Sequence, residues 1–229
     1  VTNTLNNPTR GLQTFGRMDG GAPTAGMTPV WIASTDASLI FRGDPIVTSS
    51  AGGTNNSGAY ITAAATGTGL IRGVFQGCYQ YQPSAGRTIW SNFYNGSVTG
   101  STGDVKAYIV DDPDELFLGQ GSTNAAITSS YVGLNIGFLS SLSSAGNTTT
   151  GYSNVQLASS AVTNQSTYPF RIVDFYSAYA PTAGTAGTVN YNSSVTSPLV
   201  NGTDNSNPAN IIVVRMNNCD RNNLTARSS

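Results

Sequence analysis

Short runs of β-branched and aromatic residues, cut every few positions by Gly, Pro, Asn or Asp, leave this chain little besides β-structure to fold into. Residues 104–120 are the clearest case. Val105, Ala107 and Ile109 share one strand parity, and Tyr108 and Val110 share the other, which predicts a short strand. Asp111-Asp112-Pro113-Asp114 stops it, because proline donates no ladder hydrogen bond and aspartate bonds its own backbone in tight turns. The chain then extends again over Glu115–Gln120, with Leu116 and Leu118 facing one way and Phe117 the other. This spacing predicts strand, turn and strand, buried on at least one face. No long window carries apolar residues at helical spacing.

The same texture runs through the rest of the sequence. Pro29 to Ile32 and residues 39–41 read as strands, Gly43-Asp44-Pro45 as a turn, and Ile46-Val47 as a return to extension. Residues 70–81 are the longest strand candidate, and Gly73 and Gly77 within it predict a bulge or a close backbone approach. Residues 83–103 read as a turn-rich excursion holding Trp90, Phe93 and Tyr94, with Asn95-Gly96 a hairpin signal. Residues 131–139, 155–157 and 170–179 are further strand candidates around a polar loop at 140–154. Residues 210–216 form the nearly continuous apolar run of a central strand. The expected architecture is all-β: a jelly-roll-like β-sandwich or a β-barrel over residues 28–219, with long loops and an exposed insertion at 182–208. An extended N-terminal arm (1–27) precedes it and a polar tail (220–229) follows.

In the arm, Pro8, Gly11, Gly16, Gly20, Gly21 and Pro23 break regular structure, yet Leu5, Leu12, Phe15 and Met18 recur as apolar anchors. Such an arm suits contact with a neighbouring subunit, through Asn3, Leu5, Arg10, Leu12, Phe15, Arg17 and Met18. The alternative is a loop packed on its own domain.

Only 9% of the 229 residues are charged, the formal net charge is -1, and Lys106 is the single lysine. A surface so poor in clustered cations does not bind nucleic acid. No apolar run is long enough to span a bilayer, and the first residues lack a charged-then-apolar leader. Patterned Tyr, Phe, Ile, Leu and Val exclude disorder. The chain has no histidine, so no Ser-His-Asp or Cys-His arrangement and no histidine-based zinc site can be assembled. Cys78 and Cys219 read as unpaired thiols, with a disulfide between them as the alternative.

Asp111, Asp112, Asp114 and Glu115 are the densest charge in the chain. They match no calcium loop, and turn punctuation is the preferred reading, so no metal is expected. A glycosidase would need two flanking carboxylates from Asp44, Asp104, Asp111, Asp112, Asp114, Glu115 and Asp174, and nothing in the sequence fixes a pair. No catalytic residue and no cofactor is expected. Aromatics at Tyr79, Tyr81, Trp90, Phe93 and Tyr94 offer a carbohydrate platform, with Trp90, Phe93 and Tyr94 its proposed centre; core or subunit contact is the competing reading.

Several motifs, in order, carry a resemblance. Phe41-Arg42-Gly43-Asp44-Pro45-Ile46-Val47 is followed by the Gly-punctuated run 69–77. Next come Tyr108 to Gln120 and residues 132–136. Thr148-Thr149-Thr150-Gly151 then precedes Val155-Gln156-Leu157, and Phe170-Arg171-Ile172-Val173 comes last. Over about residues 28–219 the chain resembles the decoration (cement) proteins of tailed bacteriophages; the arm and the 182–208 insertion fit that pattern least. The resemblance implies a non-enzymatic homotrimer on the outer surface of an icosahedral virion head, where it binds the major capsid protein and stabilises contacts between capsid subunits. On this view the arm reaches a neighbouring subunit or the shell. The alternative function is a carbohydrate-binding β-sandwich on a virion surface, as in a head fibre or adhesin.

Overall fold

The computed structural model describes residues 10–22, 26–50, 53, 58–96, 103–176 and 210–222. In chain order the strands begin with β1 (Gln13–Arg17), β2 (Thr28–Ile32), β3 (Leu39–Phe41), β4 (Pro45–Thr48), β5 (Ile61–Ala63) and β6 (Gly73–Gln82). They continue with β7 (Arg87–Ser91), β8 (Phe93–Asn95), β9 (Val105–Val110), β10 (Glu115–Gln120) and β11 (Asn135–Phe138). The last are β12 (Gly146–Asn147), β13 (Tyr152–Ser153), β14 (Leu157–Thr163), β15 (Phe170–Phe175) and β16 (Ile211–Met216). Two short 3-10 turns, Ser129–Tyr131 and Ser140–Leu142, are the only helical elements among the described residues. The fold is all-β.

The strands form two six-stranded antiparallel sheets. The first has the order β1-β10-β16-β15-β11-β14; the second has β2-β9-β6-β4-β5, with β7 paired to the far half of β6. Two small ladders, β3–β8 and β12–β13, complete the ladders. The 104–120 stretch divides at its turn, as its punctuation predicts, but it is not a hairpin. β9 belongs to the second sheet and β10 to the first, so residues 111–114 carry the chain from one sheet to the other.

Each sheet has its own core. Leu12, Phe117, Ile136, Phe138, Phe170, Ile172, Ile212 and Val214 fill the first, joined there by Val74 and Val110 from the second sheet. Val30, Ile32, Phe75, Cys78, Val105, Ala107 and Ile109 fill the second, together with Ile40 and Tyr94 of the β3–β8 ladder. Each large side chain so buried stabilises the fold by about 1.5–3 kcal/mol. Cys78 and Cys219 are free and buried, one in each core.

Residues 10–22 fold back onto their own domain. β1 pairs with β10 along the edge of the first sheet, and Leu12, only 2% exposed, is a core residue. This part of the presumed arm is thus a structural strand, and Leu12 has no side chain to offer a neighbour. Residues 1–9, and with them Asn3 and Leu5, lie outside the described residues, as does the 182–208 insertion.

Candidate binding face

The position of the second sheet follows from one irregularity in β6. Phe75 pairs with Ile109 and Gly77 with Tyr108, so Gln76 is an extra residue in a bulge. The bulge resets the parity, and Phe75 and Cys78, three apart, both reach the second core. Gly77 has φ +149°, and a Cβ there would sit 2.4 Å from Cζ2 of Trp90. Only glycine lets the indole lie this close across the strand. The expected bulge lies next to this glycine, at Gln76, and the expected close backbone approach is at Gly77 itself, where Ser91 O would be 2.8 Å from a Cβ.

Directly paired residues in an antiparallel ladder share a face. Opposite the second core, the register therefore aligns Trp90 of β7, Tyr79 of β6, Lys106 of β9 and Trp31 of β2 in one row. A second row places Gly77 beside Tyr108 and Pro29. Val110 shares the parity of Tyr108 but is covered by the first core. One end of this face is thus roofed by the other sheet, and the other end is open: Tyr79 is 46% and Trp90 40% exposed.

The open end is held by its own rings. Tyr79 meets Trp90 edge-on at 5.3 Å and Tyr108 at 6.0 Å, while Trp90 and Tyr108 are 5.6 Å apart at 48°. Each such pair contributes about 0.5–1.5 kcal/mol beyond its area. Lys106 Nζ lies 5.7 Å from the Tyr108 ring centroid, in cation–π range. Trp90 Nε1 donates to Asn92 Oδ1 at 3.3 Å. At the β6–β7 hairpin, Gln80, Tyr81, Ile89, Trp90, Phe93 and Asn95 help to line a cavity of about 190 Å3 that has no carboxylate in its wall.

The structure separates the three aromatics read from sequence as one platform. Trp90 is on the open face. Phe93 stacks on Phe41 at 5.6 Å, and Tyr94 is 2% exposed in the second core with its hydroxyl donating to Asp36 O. Burial pushes the Tyr94 hydroxyl up to about 12. Tyr94 therefore does not join Trp90; Phe93 meets it only in the wall of the shared cavity, and Tyr79 and Tyr108 are the rings that pack on it. Lys106, Tyr108 and Trp31 were missed although their signal was present: each alternates with buried residues along β9 or β2.

The acidic corner is occupied from within. Asp111, 3% exposed, is 3.1 Å from Arg72 Nη2 and 3.2 Å from Arg221 Nε, and accepts from Thr28 Oγ1. Asp112 accepts from Arg17 Nη1 at 2.6 Å and from the Asp114 N–H at 3.0 Å. The Asp114 N–H and Arg17 hold the Asp112 carboxyl below its ordinary value, although burial pushes it the other way. Asp114 is exposed at the turn, and Glu115 is fully buried. Among the described residues no group of three or more His, Cys, Asp or Glu side chains converges on a metal-sized site.

The remaining carboxylates lie elsewhere. Asp104 accepts from Tyr60 Oη and the Ser34 N–H, and Asp174 is exposed and accepts from the Phe175 N–H. Asp44 is fully buried, with Phe41 N–H and Ser153 Oγ donating to it, and burial pushes its carboxyl up to about 7. In the described part of the arm, Arg10, Phe15 and Met18 are exposed or half-buried, whereas Arg17 is bound to Asp112. Phe15 also packs edge-on against Tyr176 at 5.6 Å.

Compared with known proteins, the chain matches no family model, no curated protein and no solved structure.

Proposed function

We propose that this chain is a non-enzymatic capsid decoration protein, which binds the outside of an icosahedral phage head and stabilises contacts between major capsid subunits. The observation that carries the reading is the half-roofed second sheet. An otherwise charge-poor molecule leaves Trp90 and Tyr79 in the open on one sheet face, packed against a half-buried Tyr108. Aromatic residues on a rigid sheet are what a protein–protein contact is built on, because they bury much area and lose little rotamer entropy. The bracing of the acidic corner by arginines supports a structural protein over a hydrolase. The in-order resemblance of residues 28–219 to phage decoration proteins supports the same reading, and with it a homotrimer on the virion surface. A protein that binds only the assembled shell stabilises that shell by mass action.

The test is co-sedimentation of the purified chain with phage heads lacking it, alongside light scattering of the free protein. Saturable binding to heads is expected, and its absence would remove the proposal.

The same exposed rings favour one rival, a glycan-binding face centred on Trp90, Tyr79 and Tyr108. A glycan-array signal that disappears in Trp90→Ala, with no binding to heads, would establish it instead.

A further inference from the structure

We infer that the cavity at the β6–β7 hairpin binds an uncharged sugar residue, an oxygen of which accepts from the side-chain amide of Gln80. The inference goes beyond the decoration reading and stands without it. It is also distinct from the rival glycan face, because Gln80 has the opposite parity to Tyr79. Register places the site: Gln80 pairs with Ile89 and Cys78 with Ser91, so these side chains share the parity of Cys78 and continue the second core towards the end of the hairpin. Phe93 and Asn95 line the same cavity from the β3–β8 ladder. Gln80 is only 6% exposed. Its Oε1 accepts from the Asn95 N–H at 3.3 Å, which fixes the direction of the amide, because the reverse would set donor against donor. Its Nε2 is buried and has no hydrogen-bond partner among the described residues.

A buried amide donor without a partner costs about 1–3 kcal/mol, so the cavity favours a ligand that brings an acceptor to this point. The rest of the wall narrows the ligand. Ser91 Oγ is already engaged, donating to Phe93 O and accepting from the Phe93 N–H. Ile89, Phe93 and Trp90 supply apolar surface, and the amides of Gln82 and Asn95 stand exposed at the rim. No charged residue lines the cavity, so a carboxylate or phosphate finds no cation in its wall. The volume of about 190 Å3 is below the roughly 300–1,000 Å3 of a site for a drug-sized ligand, which leaves room for one ring-sized group. Apolar rings for the C–H face of a sugar and neutral amides for its oxygens and hydroxyls suit an uncharged saccharide.

The experiment probes an array of uncharged and acidic glycans with the full chain. Each hit is then titrated by tryptophan fluorescence against wild type, Gln80→Met, Asn95→Ala and Tyr79→Ala, with thermal melts as a folding control. Signal is expected on uncharged glycans. Gln80→Met, which removes the buried donor, is expected to weaken binding about tenfold, and Asn95→Ala at the rim about threefold. Should Gln80→Met melt far below wild type, Asn95→Ala decides, since it keeps the backbone N–H that Gln80 accepts from. An array without signal, or with signal on acidic glycans alone, would overturn the inference. Titrations unchanged by both cavity variants would also overturn it, and loss of signal in Tyr79→Ala alone would move the glycan to the open face. A blank array with head binding lost in Gln80→Met would assign the cavity to a capsid side chain instead. Head binding by the wild-type chain tests the decoration reading separately.

Discussion

The acidic corner at residues 111–115 and the aromatic end of the second sheet are opposites in one respect. At the corner two of the charges are braced within the chain: Asp111 holds Arg72 and Arg221, and Asp112 holds Arg17. On the aromatic face the rings lean on one another, Tyr79 and Trp90 stay nearly half exposed, and Lys106 beside them meets the Tyr108 ring. The corner concentrates the charge of the sequence yet is closed. The face is nearly neutral yet open. Density of chemically active residues is therefore a poor guide to function here; what distinguishes a brace from a binding site is whether the fold already supplies the partners.

Substitutions sharpen that contrast. The largest effect is expected at the corner. Asp111→Ala takes the buried carboxylate from Arg221 and leaves Arg72 only the more distant Asp220 at 3.8 Å, and stability should fall by about 3–5 kcal/mol in denaturant unfolding. A change within error would mean that the corner is not a brace. Leu12→Ala tests the reassigned strand β1; a cavity in the first core should cost about 2–4 kcal/mol. Unaltered stability would return residues 10–18 to the role of a loose arm.

A pH series separates a third kind of polar site from both regions. Asp44 holds its proton up to about pH 7 in the folded chain, against an ordinary value of 3.8. Between those limits the folded form keeps a proton that the unfolded form has lost, so this residue makes stability fall as pH rises through the window. Asp44→Asn should flatten that slope, seen as a Tm that changes less between roughly pH 4 and pH 7. A slope unchanged by the substitution would rule out Asp44 as its source. The smallest effect on stability is expected at the open face. Tyr79→Ala, which removes two edge-on ring contacts, should lower the unfolding free energy by only about 1–2 kcal/mol and still weaken head binding by about tenfold or more. A large loss of stability with binding intact would invert the comparison.

Much of the fold is legible in the sequence because strand parity and turn chemistry are local. β9 and β10 begin and end where the alternation and Asp111-Asp112-Pro113-Asp114 place them, and the bulge at Gln76 adjoins the glycine that announces it. Strand pairing is not local, and so the crossover between sheets at 111–114 could not be told from a hairpin. β1 was hidden for a related reason. It is five residues long, contains Gly16, and has an irregular register between Thr14 and Gly16, so its identity comes from β10 rather than from its own composition. Within the aromatic segment, Trp90 on β7 and Phe93 on β8 still share a cavity wall, whereas Tyr94, one residue further, turns into the second core, a parity that proximity in sequence does not reveal.

The order of strands in the first sheet has a consequence for the timing of folding. β16 lies between β10 and β15, and Arg221 beyond it grips Asp111 at the crossover. The second sheet draws its strands from residues 28–110, so its ladders are available while synthesis is still under way. The first sheet has a gap at its centre until residue 216 has left the ribosome. Its closure is therefore a late, long-range event, of the kind that makes β-proteins slow to fold and exposes unpaired edges of β10 and β15 in the interval.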